Sequence, residues 1–198
     1  MTKYVIQSGG LKTAPGAAKK YFKELLDSLG NNPKILWCFF ATLPDDTAIR
    51  FEKYPKLYEK DYPKGMVPVH TNATIDDFEQ QVSAADVIYI HGGETEPLYD
   101  ILKEYNLGNL FANKVVGTNS ASSMVLSQSS WSCNHRESED GLGIFPIKFL
   151  AHYNSDYGVG DPRGPIDWQR AYDELASYGD TSLPIYALEE GEFIVQNA

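Results

Sequence analysis

Ser120 is the residue of this sequence best placed for covalent chemistry. It stands in Gly117-Thr-Asn-Ser-Ala-Ser-Ser-Met124, after the apolar pair Val115-Val116 and before a run of small, helix-compatible residues. That order reads as strand, tight turn, helix start, and a serine at such a corner is lifted above the strand ends with its hydroxyl exposed. The N–H of Ala121 then opens the helix and can donate to an oxyanion. The pattern for this corner is G-x-S-x-G, because strand and helix pass close together. Here Thr118 and Ser122 hold the flanking places. Taking Ser122 as the nucleophile would put the large Met124 at a flank, so Ser120 sets the register. The plainer reading is an ordinary turn with Ser120 capping the helix.

A serine hydroxyl is a weak nucleophile and needs a base beside it. The sequence offers His70, His91, His135 and His152. His152 ends the predicted strand Ile147–His152 and precedes a loop, residues 154–165, punctuated by Gly158, Gly160, Pro162, Gly164 and Pro165. His91 ends the predicted strand Asp86–His91 and reads as lining a pocket. His70 and His135 read as surface or loop residues. A third group must orient the imidazole, and Asp156, four residues beyond His152, is a candidate. Neither Cys38, in the apolar run Ile35–Ala41, nor Cys133 belongs to a Cys-x-x-Cys pair, and the histidines are scattered, so no metal site is expected.

The elements that must hold these groups follow from the apolar pattern. Strands are predicted at Tyr4–Gln7, Lys34–Ala41, Met66–His70, Asp86–His91 and 114–117, alternating with helices over Ala17–Leu29, Ala48–Tyr62, Thr74–Val82 and Glu96–Tyr105. Pro55 is expected to bend or interrupt the second helix, and Thr74 to cap the third. Pro68 marks an edge strand. Strand alternating with helix implies a doubly wound, mainly parallel central sheet with helices on both faces, its interior strands at 35–41, 87–90 and 114–117. Residues 128–140 read as a strand pair or a loop at the active site, and Ile166–Tyr178 as a helix. Leu183–Leu188 and Glu192–Val195 read as a terminal hairpin. Ser8-Gly-Gly10 after the first strand lacks the rest of a dinucleotide fingerprint. One domain, residues 1–198, is expected.

The net charge of −10 argues against a nucleic-acid partner. No apolar run approaches the ~18 residues of a membrane span. Met1–Ile6 enters a strand without the form of a signal peptide, so a cytoplasmic protein is expected.

Four strings in order carry a resemblance: Ile90-His-Gly-Gly-Glu-Thr95, the Ser120 string, Gly143-Ile-Phe-Pro146 with Ala151-His-Tyr-Asn154, and Ala187-Leu-Glu-Glu-Gly191. Together they resemble the peptidase E (aspartyl dipeptidase) and cyanophycinase family of serine peptidases, which has an α/β fold like that of the class I glutamine amidotransferases. The chain departs from the family strings at His91, Glu94, Thr118 and Ser122. The resemblance implies Ser120 as nucleophile, His152 as base and a glutamate of the Glu-Gly turn as third member. Glu190 fits best, with Glu189 and Asp156 as alternatives. It implies Gly93 as the second oxyanion donor beside Ala121, a mechanism without a cofactor, and a small peptide substrate in which an aspartyl residue adjoins the scissile bond. His91, Glu94, Asp156, Arg163 and Arg170 are the candidates for contact with that substrate. A monomer or homodimer is expected. A binding or regulatory protein with a degenerate elbow is the competing reading. An amidotransferase glutaminase would need a cysteine at Ser120.

Overall fold

A computed structural model describes residues 1–198. Five parallel strands and one antiparallel strand form the main sheet: β1 (Lys3–Gln7), β2 (Lys34–Cys38), β3 (Val69–Asn72), β4 (Val87–Ile90), β5 (Val115–Asn119) and β10 (Phe193–Asn197), in the order β10-β1-β5-β4-β2-β3. Only β10 runs antiparallel, against β1. The apolar runs of β2, β4 and β5 are interior strands, and β3, with Pro68 just before it, is an edge.

These continuous apolar runs are needed because both faces are covered. Alternate side chains divide between two cores. Val5, Ile35, Trp37, Val87 and Tyr89 pack with α1 (Ala17–Leu25) and α2 (Pro44–Tyr58). Ile6, Leu36, Cys38, Ile88 and Ile90 face α3 (Phe78–Ala84), α4 (Thr95–Leu102), α5 (Leu107–Leu110) and α6 (Ala121–Leu126).

The chain builds a second sheet that the sequence pattern did not announce. β6 (Ser127–Ser132), β7 (Glu137–Asp140), β8 (Phe145–Leu150) and β9 (Ile185–Ala187) lie in the order β7-β6-β8-β9. Phe145, Ile147 and Phe149 of β8 join the core over α6. Trp131, Cys133 and Leu150 pack on the other side with α7 (Trp168–Ser177). Residues 128–140 are thus a strand pair, β6 and β7.

Four local expectations are corrected. The terminal hairpin does not form: β9 pairs in parallel with β8, while β10 pairs with β1 in the other sheet. A short turn between two apolar runs carries no record of which sheet each run joins. α2 begins at Pro44 and continues through Pro55. There the buried Tyr54, Pro55 and Tyr58 pack on the α1 side, with Tyr58 and Phe22 rings 4.9 Å apart, which offsets the missing N–H of proline. α3 begins at Phe78, because Thr74 spends its hydroxyl on Asp77 Oδ2 (3.2 Å) and its N–H on Gln81 Oε1 (2.9 Å), closing a turn. His70 is no free surface residue: its Nδ1 accepts from Trp37 Nε1 at 3.0 Å, and burial lowers its pKa.

Candidate active site

Parallel strands end at a common edge, so the loops after β1, β4 and β5 meet there. They deliver Ser8-Gly9-Gly10, His91-Gly92-Gly93 and Ser120. Ser120 sits at the corner between β5 and α6 with φ 54 and ψ −112, a conformation that ordinarily costs a side-chain-bearing residue ~1–3 kcal/mol. The corner is pinned by Ser120 N–H donating to Gln7 O (2.9 Å) and by Ser123 N–H donating back to Ser120 O (2.9 Å). The residues that stand where glycines were expected satisfy their own hydroxyls. Thr118 Oγ1 bonds Ser123 Oγ at 2.7 Å. Ser122 Oγ donates to Ile90 O (2.7 Å) and accepts from Asn119 N–H (2.8 Å).

The second sheet supplies the histidine that meets Ser120. His152 follows β8, and its Nε2 lies 2.7 Å from Ser120 Oγ. Its Nδ1 lies 2.5 Å from Glu190 Oε1, in the turn between β9 and β10. With Nδ1–H donated to the carboxylate, Nε2 keeps a lone pair facing the serine hydroxyl. The His152 side chain is buried, 9% exposed, while the Glu190 side chain keeps 29% of its surface in contact with water. Ser8 fixes both arms: its Oγ accepts from His152 N–H at 2.7 Å and donates to Leu188 O at 2.7 Å.

Ser8-Gly-Gly10 explains itself in this setting. A Cβ at Gly9 would stand 2.2 Å from His152 Cε1, and one at Gly10, where φ is +73, 1.9 Å from Glu190 Oε2. The two glycines vacate the space that the imidazole and carboxylate fill. From sequence they read as a Gly-rich turn without a dinucleotide fingerprint, with no link to His152 or Glu190. The available signal was a small-residue triplet at the end of a first parallel strand.

Gly93 and Ala121 line one narrow cleft with Ser120 and His152, closed further by Thr95, Met124, Cys133, Asn134 and Tyr157. Gly93 packs so tightly on the Ala41 carbonyl that a Cβ would approach its oxygen to 2.2 Å. The cleft holds only about 20 Å³, roughly the room of one water. Larger cavities lie on either side, of about 600 Å³ beyond Thr95 and Met124 and about 520 Å³ beyond Tyr157. Cys133 does not compete with the serine, since burial pushes its thiol pKa up to about 12.

The model of peptidase family S51 matches residues 4–197. The chain belongs to peptidase family S51. Two solved structures share its fold. One is a peptidase from an acI-B1 Actinobacterium, with TM-score 0.68 and 19% identity, covering 99% of this chain and 83% of the other. The second is a protein assigned as a peptidase E from Listeria monocytogenes EGD-e, with TM-score 0.62 and 16% identity, covering 100% and 99%. No curated protein matches the sequence significantly. No helix is long and apolar enough to cross a membrane.

The remaining candidates of this S51 peptidase are placed more variously. Asp156 and Glu189 line the 520 Å³ cavity with Glu190, but it is Glu190 that bonds the imidazole. Glu94 Oε2 accepts from Asn134 Nδ2 at 3.1 Å, at the rim of the cleft. Three expectations are corrected. His91 turns away from the cleft into the α2 side of the sheet, its ring 4.4 Å from that of Tyr54 and 5.3 Å from that of Phe39. It follows the alternation of β4, which sends odd-numbered residues to that face. Arg163 is tied to Asp161 (Nη2 to Oδ2, 2.6 Å) and to Asn134 O (2.7 Å), so its charge is already paired. Arg170 lies on the exposed first turn of α7, outside both large cavities. His135, Glu137 and Glu139 bring donor atoms within 4.8 Å of one another. His135 there bonds Glu139, which raises its pKa.

Proposed function

We propose that this S51 peptidase cleaves a short peptide through Ser120, His152 and Glu190. The observation that carries the reading is the hydrogen-bonded file Ser120 Oγ–His152 Nε2 (2.7 Å) and His152 Nδ1–Glu190 (2.5 Å), opening on a cleft that Gly93 and Ala121 share. Ser120 Oγ attacks the scissile carbonyl carbon as its proton passes to His152 Nε2. Glu190 stabilises the imidazolium that results. The tetrahedral oxyanion is held by the N–H groups of Gly93 and Ala121, each worth ~10²–10³ in rate. Collapse expels the amine, which takes the proton from Nε2 and leaves an acyl-enzyme. Water then attacks, with His152 as base again, and releases the acid and the serine.

The resemblance makes an Asp-X dipeptide the first substrate to test. The cavity walls favour a second. Glu96, Asp100, Glu137, Glu139 and Asp140 line the 600 Å³ cavity, and Asp156, Glu189 and Glu190 the 520 Å³ one. Neither wall contains a lysine or arginine to receive an aspartyl carboxylate. A peptide bearing an ammonium or guanidinium suits these walls better. A fluorophosphonate label with peptide mapping tests the nucleophile. Stoichiometric modification of Ser120 is expected, and an unlabelled protein would return the chain to a binding role. Turnover of Asp-Leu against Lys-Leu then decides the charge preference.

A further inference from the structure

The imidazole of His152 has a partner outside the hydrogen-bonded file. Tyr157 lies face to face with it, ring centroids 4.3 Å apart and planes inclined by 16°. The two bonds of the ring, to Ser120 and Glu190, both leave from ring nitrogens. They fix the ring within its plane but resist poorly a tilt about the line joining Nδ1 to Nε2. A flat neighbour stacked on the face opposes that motion. A π face also favours the cationic form that the ring takes during proton transfer.

The stack is braced from outside. Tyr157 belongs to the segment between β8 and α7. That segment is tied down by Trp168 Nε1 to Ser155 O (3.1 Å), by Arg163 Nη2 to Asn134 O (2.7 Å) and by Tyr157 Oη to Asn134 Oδ1 (3.4 Å). Asn134 is anchored in turn on Glu94. Tyr157 also forms the wall shared by the catalytic cleft and the 520 Å³ cavity, so its ring keeps water off the imidazole.

We propose that Tyr157 is a positioning residue for His152, holding the imidazole in the plane from which Nε2 accepts the Ser120 proton. The proposal rests on the Ser120 nucleophile reading. Fluorophosphonate labelling, followed over time at several reagent concentrations, separates the maximal rate from the half-saturating concentration without a known substrate. Tyr157→Leu should lower the maximal rate ~10-fold or more and leave the half-saturating concentration about unchanged. Tyr157→Phe keeps the stacked ring and should stay within about twofold of the parent. Tyr157 is 40% exposed, so both variants should fold, which their thermal midpoints check. Unchanged or faster labelling of Tyr157→Leu would show the ring to be only a barrier and would overturn the proposal. So would a Tyr157→Phe variant as slow as Tyr157→Leu. A parent protein that does not label at all removes the nucleophile reading, and the proposal with it.

Discussion

The three hydrogen-bonded side chains carry unequal shares of the proposed reaction. Ser120 and His152 act on the same proton, so neither has use without the other. Ser120→Ala and His152→Ala should each abolish nearly all turnover of a cleaved dipeptide, and the double variant should be no worse than either. Glu190→Gln keeps a hydrogen-bond partner for Nδ1 but removes the charge opposite the imidazolium. It should retain roughly tenfold or more activity over the other two. Asp156 shares the cavity with Glu190 yet makes no bond to the ring. Full activity in Glu190→Gln with collapse in Asp156→Asn would transfer the role. At this scale the small residues matter as much as the reactive ones, since Gly9 and Gly10 leave the volume that His152 and Glu190 occupy.

Among the elements, β8 carries the most. His152, the proposed base, follows it by two residues, and one residue within it, Lys148, is fully buried. Lys148 Nζ donates to Leu175 O (2.9 Å), Ala176 O (3.0 Å) and Tyr178 O (2.5 Å). Leu175 and Ala176 stand in the last turn of α7 and Tyr178 just past it, where helix carbonyls run short of backbone donors; of the three, Leu175 O also accepts from Tyr178 N–H at 3.2 Å. One side chain thus docks α7 on the second sheet. Lys148→Met keeps much of the apolar stem and strips the donors, leaving the half-buried carbonyls of Ala176 and Tyr178 without this partner, at a cost of ~1–3 kcal/mol. A urea titration should show a lower midpoint with an unchanged slope. An unchanged midpoint would mean that water replaces the amine without loss.

Over the whole molecule, pH acts through a histidine that the chemistry does not use. Burial between Phe39, Tyr54 and Tyr89 lowers the His91 pKa from 6.5 to about 4. The unfolded chain therefore takes up a proton below pH ~6.5 that the folded chain refuses until about 4. The stabilising difference is present above the unfolded value and is lost as pH falls through this window, by up to ~3 kcal/mol. Denaturant titrations at pH 7 and pH 5 should show a smaller loss for His91→Phe than for the parent. Parallel losses in both proteins would acquit His91.

The apolar runs were enough to give the main sheet its interior strands, because a strand covered on both faces cannot be written with polar residues. The string around Ser120 was likewise local: small side chains, an abrupt end to an apolar pair, a helix start. His152 was one strand-end histidine among four until the resemblance singled it out, and Glu190 was reached only through resemblance, since no spacing in the chain links residues 120, 152 and 190. The tertiary structure alone decided what joins them. β9 leaves its apparent hairpin partner for β8, β10 crosses to β1, and the turn between them carries Glu190 over Gly10. The same register turned His91 from an expected pocket residue into a core one. Sheet membership and side-chain facing are set by contacts between segments far apart in sequence, where the largest burial is to be had, and no window of neighbouring residues records them.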